Sequence, residues 1–359
     1  MPSFPPPPPL PALILEGGAM RAIFTCGVLD TLWGHVQVSS IFGTSAGALF
    51  GCNWKSGQPG RALRYNKKYA RSWRFCSLLN LLFTGNLYGT RFCYHTIPFQ
   101  LDPFDVETYR ASPIRFYATV TDIDTATPVL HECPNGDPAD LQWYRASASM
   151  PLVSRPVLID GHRYLDGGIT NPIPLRDAEN LGHVRAIVIL TQPASYRKTS
   201  GSEVTWTVRL LRRRHPALAD AMERRADLYN AQTAYVAARE REGSVFVIRP
   251  PEPLRISRTE SSPAELQRVY DLGTSVAQQA LSPLLRWLAA PPPSPYSPSP
   301  PLRPARPSRP SRPARPARPF SPLAKFPLVL QKNAREEMSC TRSFRFSWGL
   351  RSRFFAWRR

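Results

Sequence analysis

The chain has 359 residues, 40 of them proline, and a formal net charge of +20. Of the prolines, 22 lie in the first 11 and last 69 positions, and the last 69 residues carry 15 Lys and Arg against two acids, or +13 of the total. The other 290 residues carry only +7, so the basic composition does not by itself predict that the folded part binds nucleic acid.

The cysteine and apolar patterns exclude several further classes of protein. The six cysteines form no C-x-x-C pair and no histidines stand at zinc-ligand spacing, so we expect reduced thiols, no metal and a cytoplasmic location. The first residues, M-P-S-F-P-P-P-P-P-L-P, lack the charged start and the unbroken apolar stretch of a secretory signal. No apolar run approaches the roughly 18–20 residues of a spanning helix, which predicts a protein that is soluble or peripheral at a membrane.

Two strand–turn–helix units are predicted near the start of the chain. Residues 13–15 form an apolar strand candidate, which is followed by a pair of glycines and a helical segment at 19–33. A second apolar run at 36–42 is followed by a turn at 43–47 and the start of another helix. This repetition predicts an α/β fold with parallel strands.

Farther along, the chain alternates strand candidates with long helix candidates. The strands are 114–120, a hairpin at 157–165 that turns at Asp160-Gly161-His162, and two buried strands at 186–190 and 245–248. Residues 217–241 and 264–288 are rich in helix formers. We therefore predict an α/β core followed by a helical C-terminal extension.

The composition changes abruptly from Pro291 onward. Residues 303–319 repeat Arg-Pro-x, and in a polyproline II helix, with three residues per turn, the six arginines would line one edge. The segment has too little apolar surface to offset the entropy of folding, so we expect it to be disordered. The alternative is a ligand segment for an anionic surface or an SH3-type domain.

Ser45 is the strongest candidate for a catalytic residue. It lies in Gly43-Thr44-Ser45-Ala46-Gly47, a G-x-S-x-G between an apolar run and a helix candidate. A serine at such a sharp turn has an exposed hydroxyl, and the flanking glycines remove Cβ atoms that would clash with the bend. The same pattern also fits a serine N-cap between two turn glycines.

Two further glycine turns are candidates for the same site. Gly17-Gly18-Ala19-Met20-Arg21 follows the first strand, and adjacent parallel strands would bring its backbone N–H groups close to Ser45, where they could stabilise an oxyanion. Its spacing fits neither a dinucleotide-binding nor a P-loop motif. Asp166-Gly167-Gly168 lies 121 residues after Ser45. If Asp166 reaches Ser45, it can accept the hydroxyl proton directly.

These three motifs together resemble the patatin-like phospholipase family, whose members use a Ser–Asp dyad to hydrolyse acyl esters of lipids. The resemblance covers about residues 13–179 and implies a three-layer fold with a mostly parallel central sheet and no cofactor or metal. It makes Ser45 the nucleophile and Asp166 the proton acceptor. The residues that it assigns to the oxyanion hole or to the motifs are Gly17, Gly18, Ala19, Arg21, Gly43, Gly47, Gly167 and Gly168.

The resemblance also organises the rest of the chain. Thr191-Gln192-Pro193 and Val247-Ile248-Arg249-Pro250 resemble the bacterial branch of patatin-like proteins that carries an added helical C-terminal part. The predicted division is a Pro-rich segment at 1–12, the catalytic domain at 13–179, the remaining α/β core and helical extension at 180–289, and the tail at 290–359. The implied partner is a lipid or ester substrate, with peripheral contact to an anionic membrane and no specific nucleic acid; oligomeric state and acyl preference stay open.

Two positions depart from the family's glycine loop. The family usually has a third glycine and a glycine after the basic residue, whereas this chain has Ala19 and Ala22 there. Alanine fits if neither position needs a positive φ. If one does, we expect the oxyanion hole to be distorted.

Two alternative functions remain open from the sequence. An α/β-hydrolase triad would need a histidine after the acid, and His183 and His215 qualify by position. A catalytically weak scaffold would use the basic runs at 212–214 and 224–225 to bind membrane or nucleic acid. For the acyl channel, the apolar stretches 78–83 and 92–104 are candidates, and both also fit ordinary core.

Overall fold

The protein is described from a computed structural model, which covers residues 9–199 and 201–292, without the side chains of residues 202–204. The Pro-rich start up to residue 8 and the tail predicted to be disordered, from residue 293 on, lie outside the described residues. The strands are β1 (Ala12–Leu15), β2 (Ser40–Thr44), β3 (Arg115–Asp122), β4 (Pro128–Glu132), β5 (Val157–Ile159), β6 (His162–Asp166), β7 (Ala186–Ile189) and β8 (Val245–Ile248).

The helices connect these strands and cover the sheet that they form. They are α1 (Ile23–Leu32), α2 (Ala46–Lys55), α3 (Arg61–Tyr69), α4 (Leu78–Thr84), α5 (Val106–Ala111), α6 (Pro138–Ser147), α7 (Leu175–Asn180), α8 (Ser202–Leu211), α9 (Pro216–Arg241) and α10 (Pro263–Ala289). Short 3-10 helices occupy Ala19–Ala22 and Gly167–Ile169, and a π-helix occupies Phe92–Leu101. No described helix has an apolar stretch long enough to cross a membrane.

The described strands form one sheet with a parallel centre. Its order is β5-β6-β3-β2-β1-β7-β8, and β4 pairs with β3 outside this path. The pairs among β3, β2, β1, β7 and β8 are parallel, whereas β4, β5 and β6 pair antiparallel. The prediction of a mostly parallel central sheet is confirmed. The chain leaves β1 toward β2 on one side and returns to β7 on the other, and such a switch point is where open α/β sheets bind ligands.

Helices cover both faces of the sheet, which makes three layers. On one face, Leu13, Leu15 and Ile41 pack into the core formed with α1, α2 and α10. On the other face, Ile14 and Phe42 pack with α7 and α9. The strands are continuous apolar runs because both of their faces are buried.

Helix α10 lies directly against α1, and the contact depends on two glycines. A Cβ on Gly273 would lie 2.1 Å from the Phe24 carbonyl oxygen, and a Cβ on Gly27 would lie 2.1 Å from the Tyr270 carbonyl oxygen. Neither distance is compatible with a side chain, so the two backbones approach as closely as they do only because both positions are glycine. The predicted helical extension is thus part of the core.

Candidate active site

Ser45 lies at a sharp turn between β2 and α2. Its backbone has φ 55° and ψ −125°, a strained conformation that costs about 1–3 kcal/mol and persists only where the surroundings impose it. The flanking glycines make the turn sterically possible: a Cβ on Gly43 would lie 2.6 Å from the Ala48 Cα, and one on Gly47 would lie 2.5 Å from the Leu15 carbonyl oxygen. The sequence pattern therefore reflects a real steric requirement.

Ser147, which the sequence did not single out, supports this turn. The Ser45 N–H donates to the Ser147 Oγ at 2.8 Å, and the Ser147 hydroxyl donates to the Thr119 carbonyl at 2.7 Å. Ser147 is fully buried at the end of α6. No local sequence signal marks it, because its partners come from two distant strands.

Ser45 and Asp166 are in direct contact. The Ser45 hydroxyl donates a hydrogen bond of 2.7 Å to Asp166 Oδ2. Sheet register explains the contact, since Thr44 stands opposite Thr119 on β3, and Asp166 stands opposite Val120, the next residue of the same strand. The structure thus brings together the two residues that the sequence proposed as a dyad.

The Asp166 carboxylate is buried and has both oxygens occupied. The side chain is 2% exposed, and its Oδ1 accepts the Gly168 N–H at 2.7 Å. Burial raises the pKa of Asp166, while the hydrogen bond from Ser45 and the charge of Arg225 oppose that rise. A carboxylate with a raised pKa is a stronger proton acceptor than an exposed one.

Gly17 lies beside Ser45, and Gly18 lies beside Thr191. A Cβ on Gly17 would lie 3.0 Å from the Ser45 Cβ, and a Cβ on Gly18 would lie 2.8 Å from the Thr191 Oγ1. Within the described residues, the backbone N–H groups of Gly17, Gly18 and Ala19 donate to no acceptor. Unused donors beside a nucleophile are the arrangement that stabilises an oxyanion.

The two alanines of this loop differ in conformation. Ala19 has φ 49°, in the left-handed region, whereas Ala22 has φ −69° at the start of α1. The family's third glycine therefore stands where the backbone needs a positive φ, and an alanine there costs about 1–2 kcal/mol. The second departure, at Ala22, carries no such strain.

Glu16, directly before the Gly17 loop, is held by hydrogen bonds from two other parts of the chain. It is buried, and its carboxylate accepts the Thr191 N–H at 2.5 Å and the Tyr229 hydroxyl at 2.8 Å. Burial raises the pKa of Glu16, and the nearby charge of Arg21 opposes the rise. Arg21 thus lies next to a buried carboxylate, and its Nε is itself buried without a hydrogen-bond partner among the described residues.

Two cations that sequence reasoning did not assign to the site also lie here. The Arg225 Nε donates to the Gly168 carbonyl at 2.8 Å, which holds the turn after Asp166. Lys198 lies near Arg225, and burial together with that charge lowers the pKa of Lys198 to about 7. Both stood in basic stretches of the sequence, but composition alone cannot separate a buried cation from a solvated one.

Ser45 and Asp166 open into a cavity of about 740 Å³. Most of the wall is apolar or aromatic, and its members include Leu49, Phe50, Phe75, Tyr88, Ile97 and Phe104. Residues of the stretch 92–104 therefore line the cavity. Residues 78–83 do not line the cavity. Leu82 and Phe83 are 76% and 77% exposed, so this stretch forms neither an acyl channel nor a core.

The two candidate histidines lie away from this cavity. His183 packs edge-on against Phe42, and its Nδ1 is 3.5 Å from the Ser39 Oγ at the amino end of β2, opposite to Ser45. His215 precedes α9, where its N–H bonds to the Leu211 carbonyl. Neither histidine contacts Asp166 or Ser45 within the part of the chain that the structure describes.

One group of potential metal ligands lies elsewhere in the described residues. Side-chain atoms of His131, Cys133 and Asp140 lie within 4.8 Å of one another. The His131 ring stacks on Trp143 at 3.8 Å, and Asp140 accepts two backbone N–H groups at 2.6 and 2.7 Å. These side chains already have roles in holding the fold.

Family models match two segments of the chain. The model described as patatin-like phospholipase matches residues 13–179, and a domain of unknown function, DUF6363, matches residues 215–289. The resemblance to the patatin-like phospholipase family is thus confirmed for residues 13–179. The match covers the Gly17 loop, Ser45 and Asp166, and it ends before Lys198 and Arg225.

Several curated proteins are similar over most of this chain. "Uncharacterized protein YjjU" of Escherichia coli K12 is 28% identical over 73% of the chain and 74% of its own length. "Lysophospholipase NTE1" of Scheffersomyces stipitis is 25% identical over 75% of the chain, which spans only 18% of that relative. Among solved structures, VipD from Legionella pneumophila is 13% identical, with a TM-score of 0.40. The match covers 77% of this chain and 67% of the VipD chain. The family match and the lysophospholipase relatives support a hydrolase of lipid esters.

Proposed function

We propose that this protein is a serine acyl hydrolase that cleaves fatty-acyl esters of lipids through an acyl-enzyme. The observation that carries the proposal is the 2.7 Å hydrogen bond from the Ser45 hydroxyl to the buried Asp166 carboxylate, at a strained turn that opens into a largely apolar cavity. A serine is a weak nucleophile unless an adjacent base takes its proton. Asp166 is the base within reach.

In the first half of the reaction, the Ser45 Oγ attacks the ester carbonyl carbon while its proton passes to Asp166. The carbonyl oxygen becomes negative and accepts hydrogen bonds from the backbone N–H groups of the Gly17–Ala19 loop. The bond from carbon to the alcohol oxygen then breaks, and the proton on Asp166 goes to that leaving oxygen. The products of this half are the free alcohol and an acyl-Ser45 ester.

In the second half, a water molecule takes the place of the alcohol. Asp166 removes one proton from the water, and the hydroxide oxygen bonds to the acyl carbon. The bond from that carbon to the Ser45 Oγ breaks, Asp166 returns the proton to the serine, and the fatty acid leaves. Burial keeps Asp166 basic enough for both transfers, and the Gly168 N–H and Arg225 keep it ionised.

The test is ester turnover by three variants of the full-length chain. We expect Ser45→Ala and Asp166→Asn each to lower kcat for a long-chain acyl ester by at least about 1,000-fold, since members of a catalytic unit are individually indispensable. Ser39→Ala, at the opposite end of β2, is the matched control and keeps wild-type turnover. Near-normal turnover by Asp166→Asn protein with an unchanged melting temperature would contradict the dyad.

We further propose that α4 and its neighbours contact an anionic membrane. Four apolar side chains of α4, together with Trp73, are exposed: Leu78, Leu79, Leu82 and Phe83. Between Asp30 and Asp102 the sequence has no acid and eight Lys or Arg, and Arg71, Arg74, Arg91 and Arg155 are exposed. Apolar side chains flanked by cations suit an anionic lipid surface.

The same face lies next to the cavity. Leu152 and Val153 are partly exposed and also line the cavity, and the Leu87 N–H, three residues beyond α4, donates to the Val153 carbonyl at 2.8 Å. A membrane on this face would thus present lipid close to the opening.

The membrane contact is measured by co-sedimentation with vesicles of phosphatidylserine and phosphatidylcholine. We expect a Leu82→Glu, Phe83→Glu double variant to lose most of the binding, because two charges would enter the interface. Leu181→Glu, an exposed leucine near the other end of the sheet, serves as the control. If the double variant binds as wild type does, α4 is not the contact.

A further inference from the structure

Several positive charges act on one part of the wall of the catalytic cavity. Lys198 and Arg225 both line the cavity with Ser45 and Asp166, and the charges of Arg21 and Arg258 act on the same two residues. Among the described residues, the carboxylates whose charge acts on this pair are Glu16, on Lys198, and Asp166, on Arg225. Both carboxylates already accept hydrogen bonds. Asp166 accepts from Ser45 and Gly168, and Glu16 accepts from Thr191 and Tyr229.

Lys198 and Arg225, the cation pair, are held in place by separate contacts. The Lys198 backbone is fixed on both sides by one side chain, since its N–H donates to Asn230 Oδ1 and its carbonyl accepts from Asn230 Nδ2, both at 2.9 Å. Its ammonium lies 4.9 Å from the centre of the Tyr229 ring. Arg225 stands one turn before Tyr229 on α9. The pair is therefore pre-organised by this helix.

Arg225 uses only part of its hydrogen-bonding capacity in the fold. Its Nε bonds to the Gly168 carbonyl, and a Cβ on Gly168 would lie 3.0 Å from the Asp166 Oδ1 and 3.6 Å from an Arg225 terminal nitrogen. The terminal nitrogens thus lie close to the reacting residues. Among the described residues, no carboxylate forms an ion pair within 4 Å with either Lys198 or Arg225.

Such an arrangement is unfavourable without a ligand. Cations that repel each other in a partly dehydrated cavity are destabilised, which is why burial and neighbouring charge lower the pKa of Lys198 and the pKa of Arg225. An anion placed between them would reverse both effects. Functional sites commonly keep charge arrangements of this kind because the ligand completes them.

We propose that Lys198 and Arg225 form an anion subsite that binds the phosphate of the substrate, an acyl ester of a glycerol phosphate. This inference rests on the proposed hydrolase function and adds the class of lipid that it takes. In such a lipid only the glycerol carbons separate the ester from the phosphate, so a phosphate site must lie in the same cavity as Ser45. A neutral glyceride would leave the two cations dehydrated and without a partner, and discrimination of this kind is large because unpaired buried groups are costly.

The proposal also gives a role to the segment that matches the domain of unknown function. Arg225, Tyr229 and Asn230 all lie within residues 215–289, on helix α9. Lys198 lies between the two matched segments. The segment after the patatin-like domain thus supplies the residues that read the head group, while the domain itself supplies those that cleave the ester.

The first experiment compares two substrates with the same acyl chain, below their critical micelle concentrations. One is a 1-acyl-glycerol 3-phosphate and the other is the corresponding 1-acylglycerol. We expect wild-type protein to prefer the phosphate-bearing ester by at least about tenfold in kcat/KM, and we expect Lys198→Gln and Arg225→Gln each to reduce that preference at least about tenfold. Arg197→Gln and Arg224→Gln, which change the adjacent exposed arginines, are matched controls and keep the wild-type preference.

A conservative variant separates charge from simple support of the turn. Arg225→Lys restores the positive charge but not the planar group that bonds Gly168, so we expect it to recover part of the preference lost in Arg225→Gln. If both substrates lose activity equally in every variant, the pair only supports the Asp166 turn, and the subsite is wrong.

The second experiment measures anion binding without turnover. We expect glycerol 3-phosphate to bind Ser45→Ala protein in isothermal calorimetry, and the Ser45→Ala, Lys198→Gln double variant to show no measurable heat. Binding of inorganic phosphate alone, with no preference for the phosphate-bearing ester, would overturn the assignment to substrate. If wild-type protein cleaves neither ester yet binds glycerol 3-phosphate through Lys198, the proposed hydrolase fails while the anion site stands.

Discussion

The sequence motifs at 13–179 and the residues after them that support the candidate site contribute to that site in different ways. The motif residues stand at turns whose backbone demands glycine, as the close approaches at Gly43 and Gly47 show. The supporting residues, Tyr229 and Arg225 among them, act through side chains on a long helix, where no residue type is demanded locally. The residues of the first region can therefore be predicted from the sequence. Those of the second region can be identified only once the position of the helix against the sheet is known.

The largest effect on stability is expected where the two regions meet, at Gly273. Alanine is the better helix former by about 1 kcal/mol, so Gly273→Ala would stabilise a free helix. Here its Cβ would lie 2.1 Å from the Phe24 carbonyl oxygen, and we expect a loss of about 1–3 kcal/mol in the free energy of unfolding. Urea denaturation measures it, with Ser275→Ala on the exposed side of α10 as the control. A stabilised Gly273→Ala protein would show that α10 does not pack on α1 as described.

The second prediction concerns the influence of the later region on the dyad. Arg225 lowers the pKa of Asp166, whereas burial raises it. Arg225→Gln removes the opposing charge, so the pKa of Asp166 rises further and more of the base is protonated on the acid side. We expect the acidic limb of the kcat/KM profile for a neutral ester to move to higher pH, by enough to reduce activity several-fold at the old midpoint. An unmoved limb would mean that Arg225 does not act on Asp166.

A smaller effect is expected within the glycine loop. Ala19 has a positive φ and Ala22 does not, so the same substitution should have opposite signs at the two positions. Ala19→Gly relieves strain and should raise the free energy of unfolding by about 0.5–1 kcal/mol, whereas Ala22→Gly should lower it by about 1 kcal/mol. Thermal denaturation of the Ala19→Gly and Ala22→Gly variants measures the sign of each change. Destabilisation by both would show that Ala19 is not left-handed.

A pH dependence of stability is expected at Lys198. Its pKa in the folded protein is about 7, below the value of about 10.4 for an exposed lysine. Between these values the unfolded chain binds more protons, so stability rises with pH over this window and levels off below pH 7, where the lysine is protonated in both states. Lys198→Gln should remove this slope, as measured by denaturation at pH 6, 7.5 and 9. An identical slope in the variant would contradict the burial of Lys198.

The parts of the site that the sequence predicted rest on two different grounds. The Gly17 loop and Ser45 could be expected to lie together because glycine turns after apolar strands imply parallel strands whose ends meet. Asp166 ends the antiparallel strand β6, and its role was predicted from the family resemblance. The hairpin turn at Asp160 and Gly161 could be predicted because aspartate and glycine are common turn residues. Both have a positive φ there.

The parts that were missed depend on three-dimensional environment. The sequence could not say which alanine of the loop needed a positive φ, because φ follows from the path of the chain and not from the residue. Residues 78–83 were read as channel or core, yet α4 is exposed, since apolar composition does not reveal what covers a helix. Ser147 carries no local pattern, and the basic pair Arg197-Lys198 does not reveal that only Lys198 lies in the cavity.

The central claim is that Ser45 is the nucleophile, and a fluorophosphonate probe tests it most directly. Wild-type protein should gain the mass of one adduct, and peptide mapping should place it on Ser45. Ser45→Ala protein should gain none, and Ser39→Ala protein should label as wild type does. Equal labelling of wild-type and Ser45→Ala protein, or an adduct on another serine, would contradict the account.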